Sequence, residues 1–272
     1  LRGVGIDPTR LPIVLGCDAA GTTDDGRAVI VHAVLSQVGG GDETLADDRT
    51  LLSEVHDGTL AERVAVPRNN LIEKPTGLSF EEAACLPTAW LTAYRMLFTR
   101  GRLRPGDRIL VQGAGGGVAT AAVMLARAAG AHVTVAGRDA GRLERVLGLG
   151  AHAVVLAGER LAERVEVVID TVGAPTLEHS LRSLAPGGRV VVSGATAGPV
   201  GTIDLRRLFF RQLEVVGSTM GTRDELVALV RLVVASGIRP PMEPPVELAS
   251  AREGFERLLA GRVFGKQVIT VA

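Results

Sequence analysis

Aromatic side chains are scarce in this chain of 272 residues: one Trp, one Tyr and six Phe, 3% in all. Few rings are on hand to stack against a flat ligand, and Trp90 and Phe98 serve equally well as core. Cysteine is scarcer still. Cys17 and Cys85 alone make neither a disulfide framework nor a four-cysteine zinc site, and small apolar packing is the reading for both. Neither sign of charge is in excess, since 30 Lys and Arg balance 30 Asp and Glu. No basic field is present to recruit nucleic acid or an acidic membrane. Only Lys74 and Lys266 are lysines, a bias that base composition explains better than function. No apolar run is long enough to span a bilayer, and no repeat or low-complexity tract appears. The opening Leu1-Arg2-Gly3-Val4 carries no apolar leader, so a cytoplasmic location is expected, with no nucleic-acid and no membrane partner.

What is there suits an enzyme. A hydrophobic share of 46% and a mean hydropathy of +0.27 supply ample core for one large or two smaller domains. The most informative stretch runs Ile109-Leu110-Val111-Gln112-Gly113-Ala114-Gly115-Gly116-Gly117-Val118-Ala119. A buried-strand pattern leads into a glycine-rich turn, and the turn opens an alanine-rich helix. A dinucleotide pyrophosphate needs that order: glycines admit the phosphates, and the helix N-terminus offers free N–H groups and its positive dipole end. Gly130 then ends the helix and His132–Ala136 reads as a second strand, which strengthens the motif. The bland alternative is a flexible glycine loop without a ligand.

Residues 1–77 read as short strands such as Ala28–Val31 and Arg63–Val66, broken at Asp24-Asp25-Gly26, Gly39-Gly40-Gly41 and Pro67. Asp42 to Asp57 reads as a solvated acidic loop. Ser79-Phe80-Glu81-Glu82 is a capping box, interrupted at Pro87 and resumed from Trp90 to Thr99. Strands then alternate with helices: strands 108–112, 132–136, 153–155, 165–170, 189–193 and 213–217, helices 118–129, 140–149, 175–184 and 223–236. That alternation predicts a doubly wound parallel sheet covered on both faces. The run Arg239-Pro240-Pro241-Met242-Glu243-Pro244-Pro245 reads as a crossing out of it, followed by helix 249–259 and strand 267–271.

Several segments together resemble the medium-chain dehydrogenase/reductase superfamily, in particular its zinc-independent, quinone-oxidoreductase-like branch. They are Gly16-Cys17-Asp18-Ala19-Ala20-Gly21, Gly58-Thr59-Leu60-Ala61-Glu62, Leu86–Tyr94, Gly113-x-x-Gly116-x-x-Ala119, Val168–Gly173 and Gly265-Lys266. The resemblance implies an α/β chain that joins a Rossmann domain to a GroES-like β-barrel catalytic domain. It divides this chain into 1–77 (first part of the catalytic domain), 78–219 (Rossmann) and 220–272 (return to the catalytic domain). It also leads one to expect further barrel strands before Leu1. Homodimerisation is expected, through the last Rossmann strand around Leu213–Ser218.

Cofactor choice is read at the end of the second Rossmann strand, where an NAD enzyme places an acidic residue for the ribose 2′-OH. Here stand Gly137 and Arg138, with Arg142 one helical turn on, and a guanidinium suits a 2′-phosphate. NADPH is the expected cofactor; the alternative is a loop arginine neutralised by Asp139. By resemblance Thr92 positions the nicotinamide, and Gly113, Gly115, Gly116, Gly117 and Val118 form the pyrophosphate turn. Ser193, Gly194, Ala195, Thr219 and Met220 line the nicotinamide side, and Lys266 meets the pyrophosphate unless it is a plain surface lysine. Zinc-dependent relatives carry His-Glu where this chain has Cys17-Asp18, and a Cys where it has Thr88, so no catalytic metal is expected. No residue stands out as a catalytic acid, and the histidines show no nucleophile pairing. The implied activity is NADPH-dependent reduction of a quinone, enone or related conjugated carbonyl. Zinc-dependent alcohol dehydrogenase, or NADPH binding without turnover, are the alternatives.

Overall fold

A computed structural model describes residues 7–37 and 41–271. The opening tetrapeptide, and Gly39 and Gly40 of the expected glycine break, lie outside the described residues. The chain divides into two compact units, Leu1–Leu91 with Met220–Ala272 and, between them in sequence, Thr92–Thr219.

The first unit begins as a β-structure. Strand β1 (Ala19–Thr22) pairs antiparallel with β2 (Ala28–Val31), and the turn between them closes at Gly26, φ +84°. β3 (Val34–Leu35) pairs antiparallel with β4 (Thr50–Leu51), and β5 (Leu71–Glu73) lies antiparallel against β2. Residues 42–57 are solvated in part, as their polarity suggests, with Asp47, Asp48 and Arg49 exposed, but the segment also turns inward. Leu52 is fully buried, Thr44 nearly so, and Glu43 turns inward to lie 3.2 Å from the buried His32. Charge alone misleads there, because single carboxylates find partners inside the fold.

Helix α1 (Phe80–Ala84) starts at the expected capping box, with Ser79 Oγ accepting from the Glu82 N–H at 3.1 Å and Glu82 answering at 2.9 Å. Pro87 does not stop the helical run. It occupies the second position of a π-helical turn, Leu86–Trp90, where its missing N–H costs little. α2 (Leu91–Tyr94) and a second π-helical stretch, Arg95–Arg100, carry the run on to Gly101. A Cβ at Gly101 would fall 2.4 Å from the Met96 carbonyl, so only glycine fits that exit. α1 packs on β1 and β2, and the compact second unit begins at Thr92.

The second unit alternates strand and helix: β6 (Arg108–Gln112), α3 (Gly117–Ala128), β7 (His132–Gly137), α4 (Ala140–Gly148), β8 (Ala153–Leu156), β9 (Val165–Asp170), α5 (Ala174–Ser183), β10 (Leu184–Val192), α6 (Leu205–Phe210) and β11 (Glu214–Gly217). The sheet order is β11-β10-β9-β6-β7-β8 and every pairing is parallel. Counted from β6 this is the doubly wound order 3-2-1-4-5-6. Its strands are buried on both faces, with Ile109, Leu110, Val111, Val133, Val135, Val168, Val190 and Val191 all without exposure. Each contributes about 1.5–3 kcal/mol of transfer free energy. Two features escape the periodicity. β10 begins at Leu184 and breaks register before Arg189, across Pro186-Gly187-Gly188. α6 leaves Phe209 and Phe210 largely exposed, so its apolar residues do not read as one inward stripe.

The chain returns to the first unit through α7 (Arg223–Ser236), which has a Thr222–Glu225 capping box and ends on the left-handed Gly237. The proline-rich run is a strand, β12 (Met242–Glu247), and a register shift between Glu243 and Val246 absorbs Pro244 and Pro245. α8 (Ala251–Leu259) leads to β13 (Lys266–Thr270), parallel to β12. Among the described residues no helix is long and apolar enough to cross a membrane.

Candidate functional site

Because all six strands of the second unit run parallel, the loops that follow them gather at one edge. At its centre β6 ends in Gly113, whose N–H donates to the Ala136 carbonyl at 2.8 Å. Gly113 is needed for its backbone, φ +98°, since a Cβ there would meet only Val172 Cγ2 at 4.0 Å. Gly116 is the reverse case. Its backbone is extended, and a Cβ would meet nothing within 4 Å, so the space beside it is open. Gly116 caps α3 without a side chain, and the first-turn N–H groups of Gly117, Val118 and Ala119 have no intrahelical acceptor. Thr120 Oγ reaches back to the Gly116 and Gly117 carbonyls at 3.1 Å and keeps the turn wound. Ala114 and Gly115 are buried beneath it. The turn therefore presents donors and a dipole to a space without side chains, which fits a pyrophosphate.

One strand over, β7 ends at Gly137. A Cβ there would press on Ala114 Cβ at 2.9 Å and Leu143 Cδ2 at 3.0 Å, so the packing leaves no room for the acidic residue of an NAD site. Arg138 follows and is exposed. Asp139 caps α4 by accepting from the Arg142 N–H at 2.8 Å, and Arg142 is half-buried in the first turn. Both guanidinium-bearing residues thus start the helix beside the turn.

On the other side of β6, β9 ends in the buried Asp170. Its carboxylate accepts from the N–H groups of Val172 and Gly173 and from the hydroxyls of Thr176 and Ser180. Gln112, at the end of β6, donates to Ser180 Oγ at 3.0 Å and faces His179 Nδ1 at 2.9 Å. His179 Nε2 lies 2.7 Å from the Glu159 carbonyl, which places the ring proton on Nε2. The motif Val168–Gly173 was legible, but this network was not. Its one signal is Thr176 and Ser180, four residues apart and so on one face of α5. Ser193, Gly194 and Ala195 follow β10 at the same edge, with Gly194 at φ +143°, and Thr219 follows β11. Thr92 is buried in α2.

Met220 and Lys266 belong to the first unit. The Lys266 ammonium is bonded to Asp18 Oδ2. Burial works against its charge, but Asp18 outweighs burial and raises its pKa. Asp18 Oδ1 and Thr88 Oγ are buried without a hydrogen-bond partner. The Cys17 thiol donates to the Leu52 carbonyl at 3.1 Å, and burial pushes its pKa up to about 11; that of Cys85 rises to about 12 for the same reason. A zinc ion needs three protein ligands, with cysteines as thiolates. Among the described residues no group of three His, Cys, Asp or Glu side chains is placed to hold a metal ion.

The second unit and its edge define a dinucleotide-binding enzyme of Rossmann type. Comparison with known proteins narrows that class. A family described as zinc-binding dehydrogenase matches residues 117–235. An acryloyl-coenzyme A reductase of Metallosphaera sedula is 33% identical over 236 residues, 85% of this chain and 70% of that protein. A 2-methylene-furan-3-one reductase of Solanum lycopersicum is 33% identical over 272 residues, 95% of this chain and 64% of that protein. Among solved structures, an NAD-dependent alcohol dehydrogenase has a TM-score of 0.91 at 34% identity, covering 99% of this chain and 86% of that one. A 2-octenoyl-CoA carboxylase reductase in complex with NADP and 2-octenoyl-CoA has a TM-score of 0.88 at 25% identity, covering 95% and 68%. The chain belongs to the medium-chain dehydrogenase/reductase superfamily, with a Rossmann unit and a GroES-like unit. It is an oxidoreductase that uses a nicotinamide cofactor on a small molecule.

Proposed function

We propose that this chain is an NADPH-dependent reductase of conjugated carbonyl compounds that works without catalytic zinc. One similar structure is an NAD-dependent enzyme and another holds NADP, so the choice of cofactor rests on this chain's own residues. The observation that carries it is the end of β7: Gly137 has no room for a carboxylate, and Arg138 and Arg142 follow it with guanidinium groups that suit a 2′-phosphate. Gly113 and Gly115 to Val118 cradle the pyrophosphate, while Thr92, Ser193 to Ala195, Thr219 and Met220 position the nicotinamide. Lys266 has donors to spare beyond Asp18 for a phosphate. When bound, the reduced cofactor supplies hydride to the electrophilic carbon of the substrate.

The names of the similar reductases all describe carbonyls conjugated to a carbon–carbon double bond, which favours an enone or enoyl thioester over a quinone. Absence of zinc is supported by the commitment of Asp18 to Lys266 and by Thr88 where zinc-dependent relatives carry a Cys. Homodimerisation in the cytoplasm completes the reading. It is supported by the outer edge strand β11, with Val215 exposed, and by Phe209 and Phe210 at 63% and 69% exposure close to it in sequence.

The test is titration of NADPH and NADH, followed by turnover with acryloyl-CoA, an enone and a quinone. Tighter NADPH binding is expected, and Arg138→Ala should weaken it about tenfold to a hundredfold, the worth of a lost charge-assisted pair, while leaving NADH nearly unchanged. Tighter NADH binding by the unaltered protein would sink the assignment.

A further inference from the structure

We propose that Asp170 is a positioning residue for the nicotinamide half of the cofactor, acting through two loops that its carboxylate locks together. The inference rests on the cofactor reading above and concerns a residue to which that reading gives no part.

The argument begins with an unusual burial. Asp170 is 1% exposed and has no cationic partner among its hydrogen bonds. A carboxylate in that position is tolerated only when hydrogen bonds replace its water. Oδ1 accepts from Val172 N–H at 2.9 Å, Gly173 N–H at 3.1 Å and Thr176 Oγ at 3.0 Å. Oδ2 accepts from Thr176 Oγ at 2.9 Å and Ser180 Oγ at 2.8 Å. Gly173 stands at the start of α5 without a side chain, and Asp170, three residues back, holds that start through the Gly173 N–H and the Thr176 hydroxyl.

Fixing 171–173 fixes more than a helix end. Ser193 N–H donates to Asp170 O at 3.1 Å, Ala197 N–H to Val172 O at 2.9 Å and Ala174 N–H to Gly198 O at 3.0 Å. The contact is too close for any side chain: a Cβ on Gly173 would lie 2.5 Å from Gly198 O and 2.9 Å from Ala195 Cα. The loop after β10 is therefore held against the loop after β9, and the loop after β9 is held by the carboxylate. β10 stands three strands from β7, about 14 Å at the usual strand spacing. With the 2′-phosphate at β7, the loop after β10 falls to the nicotinamide half.

A residue that merely stabilised the fold would, when removed, weaken every ligand of the sheet edge alike. A positioning residue weakens only the half it positions. The experiment therefore compares two probes by calorimetric titration: NADPH, and 2′-phospho-ADP-ribose, which lacks the nicotinamide. Asp170→Ala is expected to weaken NADPH on the order of tenfold, as a misplaced contact does, and to leave 2′-phospho-ADP-ribose within about twofold. Asp170→Asn, which can still accept from the two N–H groups, should recover part of the loss. If Asp170→Ala does not fold, Thr176→Val removes one donor and should show the same selectivity at smaller size. Equal weakening of both probes, or no weakening of NADPH, overturns the inference. Failure of the unaltered protein to bind either probe would instead overturn the cofactor reading itself.

Discussion

At the scale of single residues, glycines 21 positions apart serve opposite ends. Gly116 is small because something must come in, and Gly137 is small because something already fills the space. Gly116→Val should therefore abolish NADPH binding while leaving the melting temperature close to that of the unaltered protein, since no protein atom stands in the way. Retained affinity in a folded variant would show that the turn does not hold phosphate. The thiols make a second residue-scale case. With a pKa near 11, Cys17 is ionised to about one part in a thousand at pH 8, against about a quarter for an ordinary thiol. A thiol reagent at pH 8 should react with Cys17 about a hundredfold, and with Cys85 about a thousandfold, slower than in denaturant, and rapid modification of the native protein would refute the environment described for either.

At the scale of elements, α7 depends on a carboxylate far away in sequence. The Arg223 N–H at its first turn donates to Glu43, which also faces His32. Burial works against the Glu43 charge, yet His32 and that N–H hold its pKa below the ordinary glutamate value. A lowered carboxylate contributes stability that is present above its unfolded pKa and is lost as pH falls through the folded one. Acid unfolding should accordingly be shallower in Glu43→Gln, and the variant should lose about 1 kcal/mol at neutral pH; an unchanged acid limb in urea titrations would count against the pairing. The strands and helices around the glycine turn were legible because a short unbroken apolar run and the 3.6 period are both local properties. Glu43 was not, because its partners lie on other elements, and neither was β12, whose prolines read as an exit until a bulge in the pairing absorbs them. Asp170 stood in plain view within a recognised motif, but its hydroxyl partners are named only by the packing of α5 on β9.

At the scale of the whole molecule, the superfamily contains enzymes with and without zinc, and this chain's answer lies in its first unit. Protein purified without added metal should carry well under one zinc per chain, and chelator should leave NADPH binding unchanged. Stoichiometric zinc that disappears in Cys17→Ser would move the chain to the zinc-dependent alcohol dehydrogenases. The two units also differ in how they are strung. Thr92–Thr219 is one unbroken stretch, whereas the unit around it is made of an early and a late segment. On a ribosome the nucleotide-binding sheet is therefore complete in sequence while its companion still waits for β12 and β13. Domains fold as units during synthesis. Stalled chains ending shortly after Met220 should show a protease-resistant core over the sheet and none over residues 7–91, so the β-rich portion spends its synthesis as the client most in need of a chaperone.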